Sequence, residues 1–167
     1  MTTIAFRDGI MACDSCWADR GCQVTSQTKI LRLKSGALWG GAGDADDRAV
    51  IALLDNVKTF KQMPSARQLS EIAADICGIL ALPSGDAYSV DIEKHEAATA
   101  WSAQLFPVGR YGYIACGSGR DFALGAMASG KTALEAVNIA CKFDIHSRPP
   151  VHQLVIRTVA KGTKVGK

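Results

Sequence analysis

Apolar residues along this 167-residue chain change period in a fixed order, and that order constrains the fold more than any single motif. Thr2–Phe6 and Ile10–Asp14 are short strand-like runs joined by Arg7-Asp8-Gly9, where Asp8-Gly9 is a tight-turn pair. A polar loop with Gly21 is expected next. Lys29–Leu33 and Ala37–Gly41 then form a second hairpin through Lys34-Ser35-Gly36, so the first part of the chain predicts an antiparallel sheet. The period then becomes helical. Asp44 is placed to cap a helix covering Ala49, Val50, Leu53 and Leu54, with Asp46 and Asp47 in its first turn. Pro64-Ser65 separates it from a second helix, Ala66 to about Leu82, with Leu69, Ile72, Ala73, Ile76, Cys77 and Leu80 on one face. After Pro83-Ser84-Gly85-Asp86, the segments Ala87–Ile92, Ala98–Leu105 and Tyr111–Cys116 read as strands. Asp121–Ala128 and Ala133–Phe143 read as helices. Beyond Arg148-Pro149-Pro150, Val151–Ala160 reads as a closing strand with Leu154 and Ile156 on one side. Strands, two helices, strands, two helices and a strand fit two stacked sheets flanked by helix pairs, a layered α+β architecture.

No linker or repeat interrupts this order, so residues 1–167 are expected to be one domain, with 161–167 as a basic tail. The sequence is 48% hydrophobic and 21% charged, ordinary for a globular protein. No apolar run reaches the ~20 residues of a membrane span; the longest, Ile76 to Leu82, is interrupted by Gly78. The N-terminus lacks the basic start and apolar block of a secretory signal, which points to the cytoplasm. A net charge of +3 is mild, and the basic residues Lys161, Lys164 and Lys167 read as a solvated tail rather than a nucleic-acid surface. The six cysteines read as reduced thiols. Cys13-x2-Cys16 followed by Cys22 hints at metal. However, His95, His146 and His152 are too scattered to supply a second ligand pair, so neither metal nor cofactor is expected.

One motif is tempting. Gly125-Ala-Met-Ala-Ser-Gly130-Lys131-Thr132 matches the phosphate-binding pattern GxxxxGK[ST] letter for letter. That chemistry needs a strand before the loop, so that backbone amides converge on phosphate ahead of a helix. Here the preceding residues are helical in pattern. Gly130 reads as a left-handed helix end, and Thr132-Ala-Leu-Glu135 as a capping box opening the next helix. The segment is expected to be a helix–turn–helix junction.

The residue that carries chemistry is Thr2. Removal of Met1 would leave a threonine with a hydroxyl nucleophile and a free α-amine on one residue. An unperturbed α-amine titrates at roughly 7.7–8.0, low enough to take the hydroxyl proton near neutral pH. One residue then supplies nucleophile and general base. Amide hydrolysis by this route also needs a cation near the amine, backbone donors for the oxyanion and polar groups to orient the amine. Lys29 is a candidate cation that Asp14 could hold, and Gly40-Gly41-Ala42-Gly43 precedes a helix, where free amides favour negative charge.

Thr2-Thr3-Ile4, the Ala12-x-Asp14 strand end, Lys29-Ile30, Gly40-x-x-Gly43-x-x-Asp46, Ile114-Ala-Cys-Gly117-Ser118-Gly119 and Asp144-x-x-Ser147 together resemble the proteasome β-subunit family of N-terminal nucleophile hydrolases. The resemblance spans nearly the whole chain and is nearest to the bacterial HslV-type peptidase, although Asp144-x-x-Ser147 looks more like the proteasome β version. It implies a four-layer αββα sandwich and a threonine peptidase. Thr2 would be the nucleophile and its amine the base. Lys29 would lower the amine's proton affinity, with Asp14 positioning it. Gly43 would give an oxyanion amide, with Gly40 or Gly41 lining the same loop. Ser118, Asp144 and Ser147 would hydrogen-bond around the amine. The resemblance further implies stacked rings fed by an AAA+ ATPase unfoldase, acting on polypeptides. Cys16-Trp17, just after Asp14, departs from the small or polar residues common there, and Lys94–Gln104 matches nothing in the family. An inactive ring subunit of the same fold and an amidase for small non-peptide amides are the other readings.

Overall fold

A computed structural model describes residues 2–19, 22–25, 28–43, 47–94, 101–108 and 112–157. The first hairpin joins β1 (Thr3–Arg7) to β2 (Ile10–Cys13). Its turn puts Asp8 and Gly9 at φ of 49° and 77°, the left-handed pair that matches strand twist and that Asp-Gly provides. The expected polar loop after Asp14 is instead a second hairpin, β3 (Cys16–Asp19) and β4 (Cys22–Thr25). Gly21 lies outside the described residues. This hairpin forms its own two-stranded sheet, and its four-residue strands are too short for their pattern to stand out from a loop.

The second predicted hairpin is present as β5 (Ile30–Arg32) and β6 (Leu38–Gly43). The first helix, α1 (Arg48–Leu54), starts after Asp47, which occupies the N-cap position rather than the first turn; Asp44 and Asp46 lie outside the described residues. The long second helix is corrected by the structure. α2 covers only Ala66–Ser70. Ala73 then takes φ of 55°, and β7 (Ile76–Ala81) runs as a strand in the middle of a sheet. A strand buried on both faces reads as a continuous apolar run, and that run imitates a helix. β8 (Ala87–Lys94), β9 (Trp101–Pro107), β10 (Tyr113–Gly117), α3 (Arg120–Ala128), α4 (Ala133–Phe143) and β11 (His152–Val155) follow; β11 stops at Val155, short of the expected Val151–Ala160, and residues 98–100 and 158–160 of the expected strands lie outside the described residues.

The strands form one sheet in the order β10-β1-β2-β11 and another in the order β5-β6-β7-β8-β9. Between them lies an apolar layer that includes Ile4, Phe6, Met11, Leu38, Ile79 and Cys116. Outside the second sheet, Val50 and Leu54 of α1 and Leu69 of α2 pack with Trp39, Leu80 and Val90. Outside the first, Ala123 and Met127 of α3 and Ala136 and Val137 of α4 pack on Ala5, Ala12 and Ala115. Small residues on both sides let the helix pair lie close to that sheet. Helix pair, sheet, sheet, helix pair is the four-layer αββα sandwich, as expected. The phosphate-loop look-alike is a helix junction: Gly130 has φ of 89°, and the Thr132 hydroxyl accepts the Glu135 amide at 3.2 Å.

This architecture brings the start of β1, the end of β2, the end of β10 and the segment after α4 to one end of the sandwich. In register, Thr3 pairs with Gly117 and Ile4 with Cys13.

Candidate active site

Thr2 sits at that end, 5% exposed, held by the two segments flanking β1. On the β10 side, its backbone nitrogen lies 3.2 Å from Ser118 Oγ. Met1 precedes Thr2 in the sequence, so this nitrogen is a peptide amide that becomes an amine only once Met1 leaves. Ser118 has one hydroxyl proton, and the Asp144 carboxylate takes it at 2.7 Å, leaving the oxygen lone pairs turned toward Thr2. Asp144 Oδ2 also accepts from Ser147 Oγ at 2.6 Å. Since Ser147 spends its proton there, the 2.6 Å contact with Thr3 Oγ1 has threonine as donor. The Asp144 carboxyl is raised by burial, but hydrogen bonds from Ser147, Ser118 and the His146 amide outweigh that and hold it below its ordinary value. It is therefore an acceptor-only group at neutral pH, and its orientation of both serines is fixed.

On the β2 side, Asp14 is fully buried with both oxygens in use. Oδ1 takes the Lys29 ammonium at 2.9 Å and the Thr3 amide at 2.8 Å. Oδ2 takes the Cys16 amide at 2.8 Å and the Arg148 amide at 3.2 Å. A buried ion pair is tolerable only when such additional bonds satisfy the carboxylate. The same residue therefore anchors the lysine and the backbone immediately after Thr2.

Two glycines complete the surroundings of Thr2. Gly117 has φ of 88°, and a Cβ there would collide with the Thr2 carbonyl. A Cβ on Gly119 would collide with Thr3 Oγ1 and stand 3.1 Å from Asp144 Oδ2. Gly43 ends β6 with φ of 130°, a conformation that side chains rarely adopt, and a Cβ there would collide with the Asp75 carbonyl. Gly43 and Gly117 line one open cleft of about 460 Å³, together with Ala42, Cys77, Asp75, Asp91 and Glu93. Gly40 and Gly41 are not part of this mouth. They lie inside β6, paired with Ile79 and Gly78, where Gly40 leaves room for Ile4 and Ile30 and Gly41 for Trp39 and Asp47.

All seven sequence-predicted site residues thus gather at one end: Thr2, Asp14, Lys29, Ser118, Asp144 and Ser147 through hydrogen bonds, and Gly43 across the cleft. Sequence reasoning missed the Thr3 hydroxyl, the Arg148 amide and Gly117. The Thr-Thr start and the Gly-Ser-Gly run were the available signals for the first and last. Arg148 acts through its backbone, which no side-chain pattern reveals.

No protein-family model and no curated protein sequence matches the chain. Solved structures do. BPH from Thiobacillus denitrificans, in complex with epoxomicin, superposes with a TM-score of 0.62 at 20% identity, covering 94% of this chain and 98% of that one. HslV from Trypanosoma brucei superposes with a TM-score of 0.63 at 16% identity, covering 92% and 97%. The fold is that of HslV.

Among the described residues, no group of three or more His, Cys, Asp or Glu is placed to hold a metal ion. No described helix is long and apolar enough to cross a membrane.

Proposed function

We propose that this chain is a threonine peptidase that cleaves polypeptides with Thr2 after Met1 is removed. The observation that carries the reading is the convergence of two hydrogen-bonded systems on one residue. Ser118, oriented by an Asp144 carboxylate that also holds Ser147, meets the Thr2 nitrogen, while the buried Asp14–Lys29 pair ties down the chain just after it. A fold alone does not give a function, so the weight rests on these side chains.

With Met1 attached, the nitrogen is an amide without a basic lone pair. Freed, it becomes an amine whose position Ser118 fixes. The amine takes the hydroxyl proton as Thr2 Oγ1 attacks the scissile carbonyl, and it returns that proton to the leaving amine. The Lys29 ammonium disfavours a second positive charge nearby and so keeps the amine in its basic form. The Gly43 amide, at the mouth of the cleft, stabilises the developing oxyanion. An ester to Thr2 remains, and water activated by the same amine hydrolyses it. BPH was solved in complex with epoxomicin, and an electrophilic peptide of that kind would occupy the cleft of this chain. The copies assemble into stacked rings in the cytoplasm, fed by an AAA+ ATPase unfoldase. Thr2→Ala tests the reading: peptide hydrolysis disappears while assembly size is unchanged, and surviving hydrolysis rules out Thr2 as the nucleophile.

A further inference from the structure

Arg148 stands where the two hydrogen-bonded systems of the site meet, and it makes contacts in both. Its amide donates to Asp14 Oδ2 at 3.2 Å, and its carbonyl accepts the Ser15 amide at 2.9 Å. Its half-buried side chain serves the other system. Nη1 donates to the Ser147 carbonyl at 2.9 Å and to the Asp144 carbonyl at 3.4 Å. One residue thus touches both Asp14, which holds Lys29, and the backbone of Asp144, whose carboxylate orients Ser118.

Residues 144–148 lie between α4 and β11, outside any strand pairing. Pro149 and Pro150 have no amide hydrogen, so Arg148 is the last backbone donor before Val151. Within the turn, the Ser147 amide closes on the Asp144 carbonyl at 3.2 Å, and the His146 amide on Asp144 Oδ1 at 3.1 Å. The guanidinium adds charge-assisted bonds, roughly twice as strong as neutral ones, to the carbonyls at both ends of that turn. Asp144 is also the C-cap of α4, where a cation complements the negative end of the helix.

We propose that the Arg148 guanidinium is a positioning group that holds the turn so that the Asp144 carboxylate faces Ser118; this rests on the reading that Ser118 fixes the Thr2 amine for catalysis. Every link of the path is a direct contact. The guanidinium grips the Ser147 and Asp144 carbonyls, the Ser147 and Ser118 hydroxyls donate to Asp144 Oδ2, and Ser118 Oγ meets the Thr2 nitrogen. Arg148 itself touches no reacting atom. Its amide, which any non-proline residue retains, keeps the far end of the turn pinned at Asp14. Loss of the guanidinium therefore loosens the Ser118 branch and leaves the Lys29 branch and the cleft in place. A small displacement of the general base costs turnover steeply.

The test uses the full chain with Met1 removed, and the variants Arg148→Met, Arg148→Lys, Ser118→Ala and the double variant Ser118→Ala/Arg148→Met. Competent sites are counted with saturating epoxomicin, and peptide hydrolysis is followed per site. Arg148→Met is expected to lower kcat about 10- to 100-fold with KM changed less than about twofold. Arg148→Lys, which keeps a cationic donor, recovers most of that loss. In the Ser118→Ala background, Arg148→Met changes kcat less than about twofold, because the group that the guanidinium orients is already gone. Should Arg148→Met fail to fold, Arg148→Gln, which keeps a polar end on the side chain, carries the same comparison. Wild-type kcat per site in Arg148→Met, or an equal loss with and without Ser118, overturns this proposal and leaves the peptidase reading standing. A processed wild-type chain that hydrolyses no peptide removes both.

Discussion

Lys29 and Asp14 form a buried ion pair at 2.9 Å, with side chains 3% and 0% exposed. The pair is a mechanical link as well as an electrostatic one, because the oxygen that holds the lysine also holds the Thr3 amide. Lys29→Ala is expected to cut turnover by several orders of magnitude, as removal of a member of a cooperative catalytic unit does. It also leaves a buried carboxylate without its counter-charge, at a cost of about 3–5 kcal/mol. Denaturant unfolding and single-turnover assays on the folded fraction separate the two effects. Near-normal turnover per folded chain means that Lys29 does not serve Thr2.

Asp144 gives a pH dependence with a definite sign. Its native carboxyl sits below the ordinary value of 3.8 despite burial, because Ser147, Ser118 and the His146 amide hydrogen-bond it. A depressed carboxyl stabilises the fold above its unfolded value, and that stabilisation is lost as the pH falls through the native one. Urea midpoints of wild type and Asp144→Asn should therefore converge as the pH is lowered from 7 toward 3. Parallel curves would mean that the carboxylate contributes nothing through this network.

Gly117 and Gly125 make a contrasting pair. A methyl group at Gly117 meets the Thr2 carbonyl and must also adopt φ of 88°. Gly117→Ala is expected to cost about 1–3 kcal/mol and to displace Thr2, lowering turnover. Gly125 lies inside α3, and a Cβ there meets nothing within 4 Å. Gly125→Ala is expected to add about 0.5–1 kcal/mol of stability at unchanged turnover. Equal effects at the two positions would contradict the close approach of Gly117 to Thr2.

Substrate charge should matter. Asp91 and Glu93 are two apart on β8, and on the neighbouring strand Cys77 of β7 pairs with Asp91, two positions after Asp75, so their side chains share the face that looks into the cleft. Asp75, Asp91 and Glu93 all line it. Peptides with Arg or Lys beside the scissile bond are expected to show kcat/KM about tenfold or more above those with Asp or Glu, an advantage that shrinks with added salt. A preference for acidic peptides, or one indifferent to salt, would exclude these carboxylates from substrate selection.

How much of this was legible in the sequence follows from where each signal resides. The strand-like runs Thr2–Phe6 and Ile10–Asp14 on either side of Asp8-Gly9, the capping box at Thr132–Glu135 and the Gly130 helix end are local patterns, and each element formed where its pattern placed it. Ile76–Ala81 was misread because a strand buried on both faces loses its alternation; the pairing of Gly78 with Gly41 under Trp39 that makes it a strand is a tertiary fact. The six site residues joined by hydrogen bonds were legible through family resemblance, since 144 positions separate Thr3 from its partner Ser147. The backbone donors to Asp14 and the Arg148 side-chain bonds to Asp144 and Ser147 carry no such mark and emerge only from the packed chain.

The most direct test of Thr2 as an activated N-terminal nucleophile is the intact mass of the purified protein before and after epoxomicin. An epoxyketone presents two electrophilic carbons, matched to a hydroxyl and a free amine on the same residue. Loss of one methionine followed by gain of one inhibitor, localised to Thr2 by fragmentation, is the expected result. A chain freed of Met1 that gains no adduct, or gains it at a cysteine, would contradict the proposed chemistry.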